Sequence, residues 1–355
     1  MNGKQSQDQR LQELMKTMNT PLDEYKGEFC RRMESSVPRI STGYLELDQI
    51  LCGGFTNELY ILGAQTGTGK SAFMLSMAQN IASKGVKVFY FTLEMGMDEL
   101  IARGVADQSY MQHLQDPGHA ELVTTSDILS HTYDPVIEDF TRIPYSAYEK
   151  YTEQYFCQLG GNLHFIEAGV GGLTAKLIAN ACANYKKSLA PSEQMVVFID
   201  YLQLLRAEPN DRSQSDRKTK TDTSVSILKA LASQIGMPVI TASSVSRGVY
   251  GSRVGTSSYK ESGDVEYTGG VLFGWNWNGI TDCNISEDEI LRAKEQCLRQ
   301  GYRNVQLDIL KARNTASGKT VRFKYYPAYN HFTVRQDIPP QNTAAIGSED
   351  VVMKF

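Results

Sequence analysis

The stretch ILGAQTGTGKSAFM, residues 61–74, constrains the fold more than any other part of the chain. An apolar run enters a glycine-rich turn, the turn closes on Gly69-Lys70-Ser71, and an apolar-faced segment follows. That order is what a phosphate-binding loop requires: backbone N–H groups curl around phosphates at a helix N-terminus, where the dipole favours negative charge. Gly67 and Gly69 allow close approach, Lys70 reaches the outer phosphates, and the Ser71 hydroxyl suits Mg²⁺. One position departs from the G-x-x-x-x-G-K-[ST] pattern. Ala64 stands where the pattern has its first glycine, and Gly63 comes one place too early. The candidate nucleotide-binding residues are Ala64, Gln65, Thr66, Gly67, Thr68, Gly69, Lys70 and Ser71. The plainer alternative is a glycine-rich helix start with a surface lysine, since G-K-S alone is common.

Around this loop, helices alternate with short apolar strands. SAFMLSMAQNIASKG reads as a helix with Phe73, Met74, Met77, Ala78 and Ile81 on one face and Gly85 as its stop. NELYILGA, KVFYFTLEM, MVVFID, MPVITASS and GGVLFGW read as strands. Such spacing implies an α/β fold, a mostly parallel sheet flanked by helices. Further on, NVQLDILKAR and KTVRFKYYP alternate around NTASG, the pattern of a C-terminal antiparallel hairpin. The expected organisation is a polar segment over 1–38 with a linker helix through Leu11, Leu14, Met15 and Met18, and one large domain over 39–335. Helical insertions are expected near 105–160 and 276–300, the second capped by Ser286, and a disordered tail over 336–355.

The net charge of −4 excludes a protein that is basic throughout, so nucleic-acid contact has to come from local patches. Six scattered cysteines without C-x-x-C spacing speak against a zinc ribbon or a disulfide framework and fit a reduced cytosol. The N-terminus has no apolar signal core and no apolar run approaches membrane-spanning length, so a cytoplasmic location is expected.

Several residues outside the loop can carry chemistry. Asp200 ends the apolar run VVFID, where a carboxylate beside a phosphate loop holds Mg²⁺ directly or through water. Glu94, closing FTLEM, can face the γ-phosphate and activate water, though many glutamates end strands. Lys311 and Arg313 lie two residues apart at a strand end, on one face, as paired cations for phosphate or as an ordinary solvated turn. Two segments have the make-up of single-strand-binding loops, or of plain surface loops: 206–222, with Arg212, Arg217 and Lys218, and 247–260, with Arg247, Arg253, Lys260 and two tyrosines.

Taken in order, FTLEM, FIDYLQLL, LKALASQIGMPVITASSVSR, KESGDVE and ILKARN…SGKTVRFKYYP resemble the RecA-like motor domain of DnaB-type replicative helicases, over about 39–335 with the two insertions unmatched. In that family alanine often fills the first loop position, as Ala64 does here. The resemblance implies a RecA-like P-loop NTPase, with ATP and Mg²⁺ as cofactors, Glu94 as catalytic glutamate and Asp200 as Walker B aspartate. It further implies that Lys311 and Arg313 reach into the adjacent subunit's site, and that both basic loops line the channel of a hexameric ring moving 5′ to 3′ on single-stranded DNA. Replication or loader proteins are implied partners. The family's N-terminal collar domain is not expected, since about 38 residues cannot form it. The family's serine-glutamine-leucine after the fourth strand reads Ser243-Ser244-Val245, and Ser244 is too short to do what the glutamine does, which is to sense the γ-phosphate. A RecA-like ATPase acting as regulator or loading module is the alternative reading.

Overall fold

The computed structural model describes residues 11–12, 14–15, 18, 21–34, 39–131, 143–168, 172–208, 217–245, 252–259, 270–278, 286–312 and 317–335. The chain divides into two compact units, Met1–Arg39 and Ile40–Phe355. In the first, Leu11, Leu14, Met15 and Met18 are helical and exposed, and helix α1 spans Lys26–Glu34.

The second unit is built on a nine-stranded sheet among the described residues. The strands are β1 (Leu59–Ala64), β2 (Lys87–Thr92), β3 (Leu163–Glu167), β4 (Met195–Asp200), β5 (Val239–Ser244), β6 (Val271–Trp277), β7 (Arg303–Ala312), β8 (Thr320–Tyr326) and β9 (His331–Val334). Their spatial order is β3-β2-β4-β5-β1-β6-β7-β8-β9. The first six positions pair in parallel, and polarity reverses between β6 and β7, so β7, β8 and β9 run antiparallel. The expected hairpin is β7–β8. Two strands escape the sequence reading: edge strand β3, sequence LHFIE, and the four-residue β9.

Alternation along the strands feeds two apolar layers. From β1, β4 and β5, the side chains of Tyr60, Leu62, Val196, Phe198, Ile240 and Ala242 join one layer. Leu59, Ile61, Val197, Ile199 and Val239 join the other, under helices α7 (Ala175–Ser188) and α8 (Arg217–Ala230). Helices α2 (Leu45–Ile50), α3 (Lys70–Ala82), α4 (Met97–Gln115), α5 (Thr125–Leu129) and α6 (Tyr145–Leu159) all precede β3 in the chain. Helix α3 differs from its one-faced expectation: it is buried almost all round, Ser76 and Gln79 included. Phe73 stacks on Trp275 at 4.4 Å on one side, and the Gln79 amide donates to the Tyr155 hydroxyl on another. Helix α9 (Glu287–Gln300) starts as expected at Ser286, whose hydroxyl accepts from the Glu289 N–H while the Glu289 carboxylate accepts from the Ser286 N–H. The expected tail over 336–355 lies outside the described residues.

Candidate nucleotide site

The C-terminal ends of β1, β2, β4 and β5 converge on a cavity of about 490 Å³ walled by Ala64, Lys70, Ser71, Glu94, Tyr201 and Ser244, among others. Ligands of open α/β sheets sit at this edge of the strands. Ala64 is buried at the end of β1, in register with Ser244 of β5 and Trp275 of β6. The glycine before it has a packing role: a Cβ on Gly63 would overlap the ring of Tyr259, whose hydroxyl donates to the Phe273 carbonyl at 2.6 Å. The displaced glycine thus serves Tyr259.

The loop is held by its carbonyls. Thr68 Oγ1 donates to the Gln65 carbonyl (2.8 Å), Trp275 Nε1 to the Thr68 carbonyl (2.9 Å), and Arg303 Nη1 to the Gly67 carbonyl (3.2 Å). Fixing the carbonyls against the protein is what lets such a loop offer its N–H groups to an anion. Gly67 and Gly69 have φ of 79° and 96°, the left-handed region that favours glycine, and Gly69 caps α3. The Gln65 side chain is buried and donates to the Ser252 carbonyl at 2.7 Å, tying the loop to the segment 252–259.

Lys70 Nζ lies 3.7 Å from Asp200 Oδ1 and 4.4 Å from the Tyr201 ring centroid. Asp200 is 1% exposed; the Tyr90 hydroxyl donates to its Oδ2 at 3.3 Å, while Oδ1 is buried and accepts no hydrogen bond. Burial, and then the Asp200 charge, push the Tyr90 hydroxyl well above its ordinary pKa, so it stays protonated as that donor. A buried carboxylate oxygen without a hydrogen-bond donor, beside Lys70, is chemically suited to Mg²⁺, and so is the Ser71 hydroxyl in the cavity wall. Glu94 lines the same cavity.

The remaining expected residues separate into three groups. Lys311 sits near the C-terminal end of β7, in register with Leu272 near the start of β6, and therefore at the opposite end of the sheet from the phosphate loop. Arg253 is engaged by Asp308, with Nη2–Oδ1 at 2.6 Å and Nε–Oδ2 at 2.9 Å, a bidentate pair that commits its guanidinium to the protein. Lys218 is exposed in the first turn of α8, which Arg217 opens, while Arg212, Arg247, Lys260 and Arg313 lie outside the described residues.

The sequence reading missed Arg303, Tyr325, Pro327, Arg103 and Thr125, which also wall the cavity. Arg303 stacks over the Trp277 ring at 4.3 Å. Its placement follows from the β6–β7 register, with Val305 opposite Trp277 and an irregularity at Leu272/Phe273, which no local pattern discloses.

A six-strand parallel run, a glycine-capped helix at the end of β1, its fifth strand, and a lysine–aspartate pair across the strand ends define a RecA-like P-loop fold. The chain belongs to the family described as DnaB-like helicase C terminal domain, whose model matches residues 39–134 and 156–334. The match breaks over 135–155, inside the first expected insertion, and runs through the second. The chain is 27% identical over 249 residues to the replicative DNA helicase DnaC of Bacillus subtilis, covering 69% of this chain and 48% of that protein. It is 29% identical over 242 residues to the replicative DNA helicase DnaB of Mycoplasma genitalium, covering 66% and 46%. The chain thus spans about half the length of these curated relatives. Among solved structures, one titled as an ATPase domain superposes with a TM-score of 0.68 at 22% identity, covering 90% of this chain and 100% of that one. A DnaB-like replicative helicase, in a structure titled for its interactions with primase, gives 0.66 at 22%, covering 91% and 70%. No helix among the described residues is long and apolar enough to cross a membrane.

Proposed function

We propose that this chain is the motor of a DnaB-like, ATP-dependent DNA helicase or translocase, hydrolysing ATP between subunits of a hexameric ring and moving on single-stranded DNA. The observation that carries the reading is the cluster at the strand ends, Lys70 beside buried Asp200 with Glu94 in the same cavity, in a chain of this family. The loop N–H groups hold the phosphate chain and Lys70 offsets charge on its outer oxygens. Mg²⁺, held by Ser71 and Asp200, would neutralise charge that builds on the phosphate oxygens. Glu94 takes the proton of the water that attacks the γ-phosphorus, and the bond from that phosphorus to the β–γ bridging oxygen breaks. Arg303 and Tyr325 wall the cavity beside Gly67 and receive the nucleobase. Lys311 and Arg313 serve the neighbouring subunit's site. Arg212, Arg217, Lys218, Arg247 and Lys260 contact DNA, while Arg253 anchors its loop to Asp308. Replication or loader proteins are the proposed further partners.

The test is ATP turnover with and without single-stranded DNA, at a concentration where the oligomeric state is measured. Turnover that is raised by DNA and lost in Lys70→Ala is expected; full turnover in Lys70→Ala refutes the site. Turnover indifferent to DNA favours a RecA-like regulator or loading module without processive unwinding, the reading that the short Ser244 side chain in the cavity wall supports.

A further inference from the structure

Behind the cavity wall, a glutamine joins two segments that the nucleotide chemistry does not itself explain. Gln203 lies in the turn after β4, in the run Tyr201-Leu202-Gln203-Leu204. Its side-chain amide grips the end of β5 at both backbone groups of one residue: Nε2 donates to Ser243 Oγ at 2.8 Å and to the Ser244 carbonyl at 3.3 Å, and Oε1 accepts from the Ser244 N–H at 3.2 Å. Ser244 walls the nucleotide cavity. The main chain of Gln203 makes the outward contact, its carbonyl accepting from Lys220 Nζ at 3.0 Å.

Lys220 lies in the first turn of α8, the helix that follows the basic segment after Arg206. That turn is a firm body for its neighbours: Thr221 and Ser224 are buried, and Ser224 Oγ donates to the Lys220 carbonyl at 3.0 Å. A continuous set of hydrogen bonds therefore runs from the cavity wall at Ser244, through both the side chain and the carbonyl of Gln203, to the start of α8. A primary amide offers a donor and an acceptor side by side in a single plane, so it can hold an N–H and a C=O at once. Leucine or methionine would fill the same volume and hold neither.

We propose that Gln203 is a positioning residue that reports the nucleotide state of the cavity to the N-terminal turn of α8. A phosphate group beside Ser244 shifts the end of β5; the amide carries that shift into the turn after β4, and Lys220 carries it into α8. The proposal rests on the nucleotide-binding reading above, and extends to DNA only if α8 carries the DNA contacts proposed there. It depends on differential contact in two states, which is what transmission between sites requires.

The experiment is amide hydrogen exchange over 217–224, with and without a non-hydrolysable ATP analogue, in the full chain and in Gln203→Met. In the native chain the analogue slows exchange there by about threefold or more. In Gln203→Met that response vanishes while affinity for the analogue changes by less than about threefold. A purely structural role would instead weaken nucleotide binding and raise exchange alike with and without the analogue. An unchanged response in Gln203→Met, or no response in the native chain, overturns the proposal. If Gln203→Met does not fold, Lys220→Met cuts the outer bond of the same link and is read in the same way. Binding of a single-stranded oligonucleotide separates this from the helicase reading: an α8 response in a chain that binds no oligonucleotide keeps the link and removes the helicase.

Discussion

Lys70 Nζ sits 3.7 Å from Asp200 Oδ1 although 130 residues separate the two in sequence, and the carboxylate is 1% exposed. Such a carboxylate is tolerable only because a cation and a hydroxyl donor face it. Lys70 and Glu94 both wall the cavity, and Glu94 is given a separable duty in the proposed reaction. Glu94→Gln keeps the shape and loses the proton acceptor. Nucleotide affinity stays within about threefold, while turnover falls by about 10²–10⁴. Equilibrium binding of a fluorescent analogue and a phosphate-release assay check both halves; a variant that turns over normally removes Glu94 from the reaction.

Arg303 has two attachments, the Trp277 ring and the Gly67 carbonyl. Arg303→Ala removes a flat cation beside the cavity and frees one loop carbonyl. The expected result is weaker nucleotide binding by about tenfold, from contacts of about 1–2 kcal/mol, with turnover at saturation less affected. KM and kcat for ATP, measured separately, show whether the loss falls on binding as expected.

Gly63→Ala puts a methyl group into the ring of Tyr259. Overpacking of this kind costs about 1–3 kcal/mol. The denaturation midpoint falls, and the loss is not additive with that of Tyr259→Ala, since the two changes share one contact. Additive losses would mean that Tyr259 does not set the need for glycine.

Asp308 takes hydrogen bonds from Arg253, Thr320, Gln306 and Asn276. Burial pushes its carboxyl upward, but the bonds from Arg253, Thr320 and Gln306 outweigh burial and hold it below the ordinary carboxylate value. A depressed folded-state pKa contributes stability that is fully present above the unfolded value of about 3.9 and is lost as pH falls through the folded one. Urea midpoints from about pH 7 down to about pH 3 should therefore decline less in Asp308→Asn than in the native chain, from a lower starting point.

Ser244 is short, and its backbone is already held by Gln203. Single-stranded DNA is expected to raise ATP turnover only weakly in the native chain and more strongly in Ser244→Gln, where a longer amide enters the cavity. Strong stimulation of the native chain would show that coupling does not need that side chain.

Much of this arrangement is legible because its signals are local. The phosphate loop, Asp200 and the hairpin each announce themselves within a short run of residues. Edge strand β3 escapes notice because LHFIE is short and half-exposed, and β9 because four residues carry no period. Arg253 reads as a DNA contact because a basic, glycine-rich loop surrounds it; its bidentate partner Asp308 is 55 residues away, where no local pattern discloses it. Arg303 and Gln203 acquire their roles from register and from a turn, and neither leaves a trace in composition.

The reversal of polarity between β6 and β7 sends Lys311 to the far end of the sheet. Eight residues of β7, about 27 Å at strand rise, separate it from Arg303 at the loop end. If Lys311 serves a neighbouring subunit's site as proposed, a chain of this design carries one part of a catalytic unit at each end and cannot bring its own two parts together. On that proposal its reaction order in protein would exceed one on dilution, and its specific activity would measure association as much as chemistry.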